Sequence, residues 1–158
     1  MVVATIAITA AVAVPRFAAS TDRRRLSLAA QRVVLDATAA REWARSTARA
    51  HRLEFSSGRD RYWTVPGVLP VSQAVATSVL HAEPFNVDLG AVNFAGTRIL
   101  TFNGFGVPSS GGSVVLQTHT RRVLLTFDPA TGLPSAGPIV STLALTVTPE
   151  GDVIAARR

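Results

Sequence analysis

The chain has 158 residues, 47% of them apolar and 16% charged, which excludes a disordered polypeptide and fits one ordinary domain or a small domain carrying a long helix. It has no cysteine, so disulfide scaffolds, thiolate zinc sites and thiol nucleophiles are excluded, and its basic residues are all arginine, which excludes a lysine Schiff base or P-loop. The net charge of +6 is uneven: residues 1–56 hold nine arginines against Asp22, Asp36, Glu42 and Glu54, a balance of +5, whereas residues 57–158 hold seven against six carboxylates, a balance of +1. A basic excess beside an apolar N-terminus points to an anionic membrane before nucleic acid or an acidic partner.

All eleven glycines and eight of the nine prolines lie after residue 57, the exception being Pro15. Their absence from the first third predicts a long helix, and their density afterwards predicts strands and turns. Residues 1–15 are uncharged and apolar apart from two threonines, shorter than the roughly 20 residues of a membrane span. A buried helix, a signal peptide and a truncated span are the readings open to this run. The signal peptide lacks a basic n-region, and a buried helix in so small a chain is seldom apolar all round, so we expect a truncated span. From Thr21 to Glu54 the pattern is amphipathic, with Leu26, Ala30, Val33, Ala37, Ala40, Ala44 and Ala48 at steps of three and four. Helix over the whole of residues 1–54 would be roughly 80 Å long, more than a core of this size can bury.

Segments 52–56 and 61–65 read as a hairpin around Gly58. Residues 66–97 read mostly as loop. Further strands are expected at 98–102, 113–118, 122–127 and 142–147, with a turn at 149–152 and a short last strand from Val153. The Gly-rich stretch 103–112 lacks the lysine and following helix of a phosphate loop and reads as a hairpin connection. Short neighbouring strands with tight turns predict antiparallel pairing, hence an α+β fold with a long helix, apolar then amphipathic, packed on an antiparallel sheet domain. The expected division is 1–20 as a truncated transmembrane segment, 21–56 as the amphipathic helix and 57–158 as the β domain. Trp43, Phe55, Tyr62 and Trp63 are expected to form core between helix and sheet.

The catalytic inventory is thin. His51, His81 and His119 have no metal-ligand spacing and read as surface or interface residues. Asp36 and Glu42 read as a solvated, ion-pairing helix face. No Gly-x-Ser-x-Gly elbow is present. The chain is therefore expected to be no enzyme, with no catalytic residue, metal or cofactor. The run Arg23, Arg24, Arg25 is a candidate lipid or subunit contact, with a solvated helix face as the equal alternative.

An apolar helix with Pro15-Arg-Phe17, an Ala/Arg-rich amphipathic helix and a Gly-turned sheet resembles the type IV pilin superfamily. Within it the chain is most similar to the H-type minor pseudopilins of type II secretion and to FimT-type minor pilins. Residues 2–17 resemble the family's transmembrane segment after its start, 41–55 its helix end and first strand, and 99–116 with 143–158 its C-terminal sheet. The family's short basic leader ending in Gly, followed by Phe and later Glu, does not precede Met1, so the chain is expected to begin inside the mature helix. The resemblance implies a non-catalytic filament subunit, kinked at Pro15, that waits in the bacterial inner membrane as a single-pass protein with its C-terminal domain in the periplasm. In that topology Arg23–Arg25 would be periplasmic, against the positive-inside tendency.

The implied partners are other pseudopilins or pilins, the inner membrane and its assembly machinery. The first functional reading is a minor pseudopilin aiding protein export. The second is a FimT-type minor pilin binding DNA for uptake, with Arg121, Arg122, Arg157 and Arg158 as candidate phosphate contacts, although the family's Gly-Arg-x-Arg tail pattern is absent from 151–154. The third is an unrelated, membrane-anchored β domain.

Overall fold

A computed structural model describes residues 2–142, and of residues 2–19 the helical backbone only. Helix α1 runs over Val2–Thr47 and is followed by β1 (His51–Ser56), β2 (Arg61–Pro66), a 3-10 turn (Val71–Gln73), β3 (Ala76–Val79), β4 (Asp88–Asn93), β5 (Ile99–Phe102), β6 (Gly112–Gln117), β7 (Arg121–Phe127), β8 (Pro134–Ala136) and β9 (Val140–Ser141). Among the described residues, no helix is long and apolar enough to cross a membrane. The α+β architecture of one long helix on antiparallel sheets is as the sequence predicts.

The helix ends seven residues before Glu54, the expected limit. Ala48 takes a left-handed φ of 50°. The amide of Arg49 then reaches the Ala44 carbonyl at 3.2 Å and that of Ala48 the Arg45 carbonyl at 3.4 Å, so the last orphan acceptors are satisfied in a Schellman turn. That position is usually glycine, and alanine here leaves no sequence signal of the stop. Ala48 is consequently exposed rather than part of the apolar stripe. The rest of the stripe holds: Leu26, Ala30, Val33, Ala37, Ala40 and Ala44 are buried, together with Ala29.

The strands form two sheets, one in the order β3-β2-β1-β5, the other β4-β6-β7 with β8 and β9 one after the other along the outer edge of β7. Every pairing is antiparallel, including the expected β1–β2 hairpin with Phe55 opposite Tyr62. The helix touches β1 and β5 of the first sheet and β6, β7 and β8 of the second, so its small-residue face is the seam where both sheets close. Alanines suit that seam because a methyl side chain lets two backbones approach at once.

Aromatic rings bridge the sheets in series. Tyr62 stands 5.3 Å from Phe55, Phe55 stacks 5.7 Å from Phe94, and Phe94 meets Phe127 edge-on at 5.0 Å. Both tryptophans lie outside this core: Trp43 is 42% exposed and Trp63 half-buried. Segment 66–97, expected as loop, contains the 3-10 turn, β3 and β4. Strand β3 has only four residues, and β4 carries Gly90 and a register shift between Leu89 and Val92, so neither shows a clean alternation. Stretch 103–111 is no hairpin either. It carries the chain from β5 at the edge of the first sheet to β6 inside the second. Of the strand expected at 142–147, only Thr142 is described, as a turn; the last strand from Val153 lies outside the described residues.

One buried polar cluster fixes the helix against the first sheet. Asp36 accepts hydrogen bonds from the Tyr62 hydroxyl at 2.7 Å, the Ser78 hydroxyl at 2.9 Å and the Arg32 Nε at 3.0 Å. Its side chain is 14% exposed, so the expected solvated face holds for Glu42, paired to Arg45 at 3.6 Å, and fails for Asp36. Burial, and then the Asp36 charge, hold the Tyr62 phenol well above its ordinary value of 10.0. Asp36 likewise raises Arg32.

Replacing Asp36 with alanine strands two buried hydroxyls, and is expected to lower the unfolding free energy by about 3 kcal/mol, whereas Asp36→Asn costs about 1 kcal/mol. Urea titration of both variants checks this; equal losses would contradict it. The folded state holds the phenolic proton more tightly than the unfolded chain does, so that stabilisation is complete below the unfolded value and is lost as the pH climbs toward the raised one. Tyr62 is the sole tyrosine. Tyrosinate absorbance of the native chain is therefore expected to stay flat past pH ~10 and to rise only with unfolding.

Candidate functional site

Among the described residues, no three histidines, aspartates and glutamates gather to hold a metal. His81 and His119 are exposed as expected, but His51 is 6% exposed, its Nδ1 3.3 Å from the Arg49 carbonyl and its ring 6.2 Å from that of Trp43. It fills the space under the helix end.

The proximal end of the β domain is tied to α1 by charge. Asp22 accepts the Thr120 hydroxyl at 2.5 Å and the Thr118 hydroxyl at 3.1 Å, which holds the β6–β7 turn against the helix. Arg25 donates to Glu83 at 3.3 Å. The run expected to face lipid or another subunit is thus divided: Arg25 is held within the chain, and Arg23 and Arg24 are exposed. Pro15 lies where only the helical backbone is described, and that helix continues through it.

Arg121 and Arg122 open β7 rather than occupying its preceding turn, which spans 118–120. Both are half-buried. Successive strand residues point to opposite faces. Arg122 lies with Val115, Leu124 and Val140 on the outer face, and Arg121 shares its side with core-facing Val123, so the two do not make one phosphate-binding patch. Arg157 and Arg158 lie outside the described residues.

The opposite pole is where exposed apolar side chains gather. There β1 begins, β2 ends, β3 begins and β5 ends, so the linkers 48–50, 67–75 and 103–111 converge beside the end of α1. Their backbones are held firmly. The Gly67 amide donates to the Ala50 carbonyl at 2.6 Å, and Arg52 donates to the carbonyls of Gly67 and Leu69 at 3.0 and 2.7 Å. The Asn103 Oδ1 accepts the amides of Phe105 and Val107, each at 3.0 Å, and Arg41 Nε reaches the Gly106 carbonyl at 3.2 Å. Gly106, at φ 74°, lies against the Arg45 side chain, where a Cβ would come within 2.5 Å of its Cγ.

These braces present Val68 at 94% exposure and Phe105 at 85%, with Leu69, Val71, Val75, Val107 and Trp43 also exposed. Single exposed apolar residues are ordinary, but three converging linkers that each carry them make this pole a candidate contact surface. Nothing in the sequence marks it, because the linkers that carry Val68 and Phe105 reach the same end of the molecule only through the topology of the first sheet.

No protein-family model matches the chain, and no curated protein matches it. Among solved structures, the fold is similar to the crystal structure of the type IV minor pilin FimU of Pseudomonas aeruginosa strain PAO1, with a TM-score of 0.57 at 17% sequence identity, covering 75% of this chain and 92% of that one. The helix and its antiparallel sheets thus form a type IV pilin-like fold.

Proposed function

We propose that the chain is a non-catalytic subunit of a pilin-type filament, and more narrowly a minor pseudopilin of a type II secretion pseudopilus that aids protein export. The observation that carries this reading is a pilin-like fold whose helix begins without charge. The helix is 46 residues long, and no charged residue precedes Arg16. The uncharged run at its start wants an apolar environment: the inner membrane before assembly, neighbouring helices in the fibre afterwards. In this reading the β domain faces the periplasm and then the fibre surface, and Val68 and Phe105 meet the next subunit or the assembly machinery.

The narrower choice is supported by the near-neutral β half, +1 over residues 57–158, and by the division of Arg121 and Arg122 between two faces. A DNA-binding minor pilin would keep Arg157 and Arg158 as its phosphate contacts.

The test is made in the host. The full chain is expected in the membrane fraction after carbonate washing, with its β domain digested by protease in spheroplasts. A photo-crosslinking residue at position 105 is expected to capture another pilin-type subunit, and Val68→Asp/Phe105→Asp to abolish that adduct while thermal stability changes by less than about 0.5 kcal/mol. Recovery of the chain in the soluble fraction would sink the filament reading. A low-salt mobility shift lost on Arg157→Ala/Arg158→Ala would move the assignment to DNA uptake.

A further inference from the structure

Arg23, Arg24 and Arg25 are consecutive on one helix, so each side chain is turned about 100° from the last and the three surround α1 over roughly 200°. The side they leave open is that of Asp22, which holds the β6–β7 turn through Thr118 and Thr120. That turn carries the exposed His119, and Arg121 follows it at the start of β7. At the level where the β domain begins, α1 is therefore encircled, by guanidinium groups on three sides and by the turn on the fourth.

The positive charge stays available. Asp22 is engaged by two hydroxyls, and Glu83 meets Arg25 but leaves its side chain 31% exposed. Asp88, opposite Gln117, is the exposed carboxylate that opens β4 at this end. Arg23 and Arg24 are exposed, with no ion pair among the described residues.

We propose that this collar seats on anionic phospholipid head groups where α1 leaves the bilayer. The inference rests on the reading in which the helix begins in a membrane. A contact with one neighbouring subunit would use one helix face, through residues three or four apart. Cations on every open side of a helix fit instead a plane that the helix crosses, and a bilayer surface is such a plane. The depth agrees. The only charged side chain between Met1 and Thr21 is that of Arg16, about 10 Å before the collar along the helix axis. A head-group layer is about 5–8 Å deep, and the long stems of arginine extend its reach, so both levels meet one such layer. Guanidinium groups bond phosphate in a two-pronged way, and each one near an anionic surface favours that surface about fivefold.

The absence of native cysteine allows a single probe. His119→Cys carries a fluorescent donor in the full chain, reconstituted in phosphatidylcholine vesicles with or without about one-third phosphatidylglycerol, and an acceptor dye marks a trace of the head groups. Flotation first establishes that the chain is in both kinds of vesicle. Energy transfer from position 119 is expected to be at least about twofold greater with phosphatidylglycerol, and to fall to the phosphatidylcholine value in Arg23→Gln/Arg24→Gln. It is expected to fall likewise in about 1 M salt, where the screening length is about 3 Å. A donor on Val68→Cys, exposed at the opposite pole, is expected to show no dependence on the lipid. If the chain floats with both vesicles while transfer from 119 ignores phosphatidylglycerol or the arginine variant, the collar is overturned and the filament reading stands, with a neighbouring subunit as the other use of Arg23 and Arg24. Failure to float with either vesicle overturns both.

Discussion

A helix of 46 residues is roughly 69 Å long, and a domain with some 100 further residues can wrap only part of it. That mismatch organises the molecule. The sheets close over the C-terminal half, where small residues let two backbones approach a single helix face. Everything the domain does to hold that half in place is concentrated at the seam. The beginning of the helix carries no charge, which is why the proposed function rests on the surroundings such a sequence wants rather than on a catalytic group.

Alanine gives closeness but little grip. Each buried methyl contributes only about 0.8 kcal/mol, and a smooth alanine stripe does not define how far along or around the helix a sheet should sit. Polar contacts supply that definition. Asp22 holds the β6–β7 turn, Arg25 holds Glu83, and Asp36 gathers the hydroxyls of Tyr62 and Ser78. Arg32 is half-exposed, so its pair with Asp36 adds little, whereas the two hydroxyls need the carboxylate as their acceptor. At the other pole Arg41 and Arg52 do for the linkers what the aspartates do for the sheets, holding carbonyls that would otherwise move.

Much of this architecture was legible in the sequence. The helix, its buried stripe, the β1–β2 hairpin, β5, β6 and β7 followed from apolar periodicity and from where glycine and proline begin. What escaped has physical reasons. The helix stop is made by an alanine in a left-handed conformation, so the missing glycine misplaced the boundary. Strands β3 and β4 are too short and irregular to alternate visibly. The sequence spacing of Asp36 looks like any helical ion pair, and only the fold brings Tyr62 and Ser78 to it. The apolar pole was invisible for the same reason, since three separate linkers build it. The arginines at 121 and 122 looked like a pair because adjacency in sequence hides their opposite directions on a strand.

Asp22 and Asp36 are fourteen residues apart, close to four helical turns, so they lie on nearly the same side of α1 about 21 Å apart. Each is bonded to a different sheet. A pull along the helix axis therefore loads both sheets together and in shear, so that neither can be peeled away first. A slip by one turn, about 5.4 Å, would have to break both sets of bonds at once and bury two carboxylates against apolar neighbours. The helix is thus indexed to its domain like a keyed shaft, held along its axis at two points that must yield together.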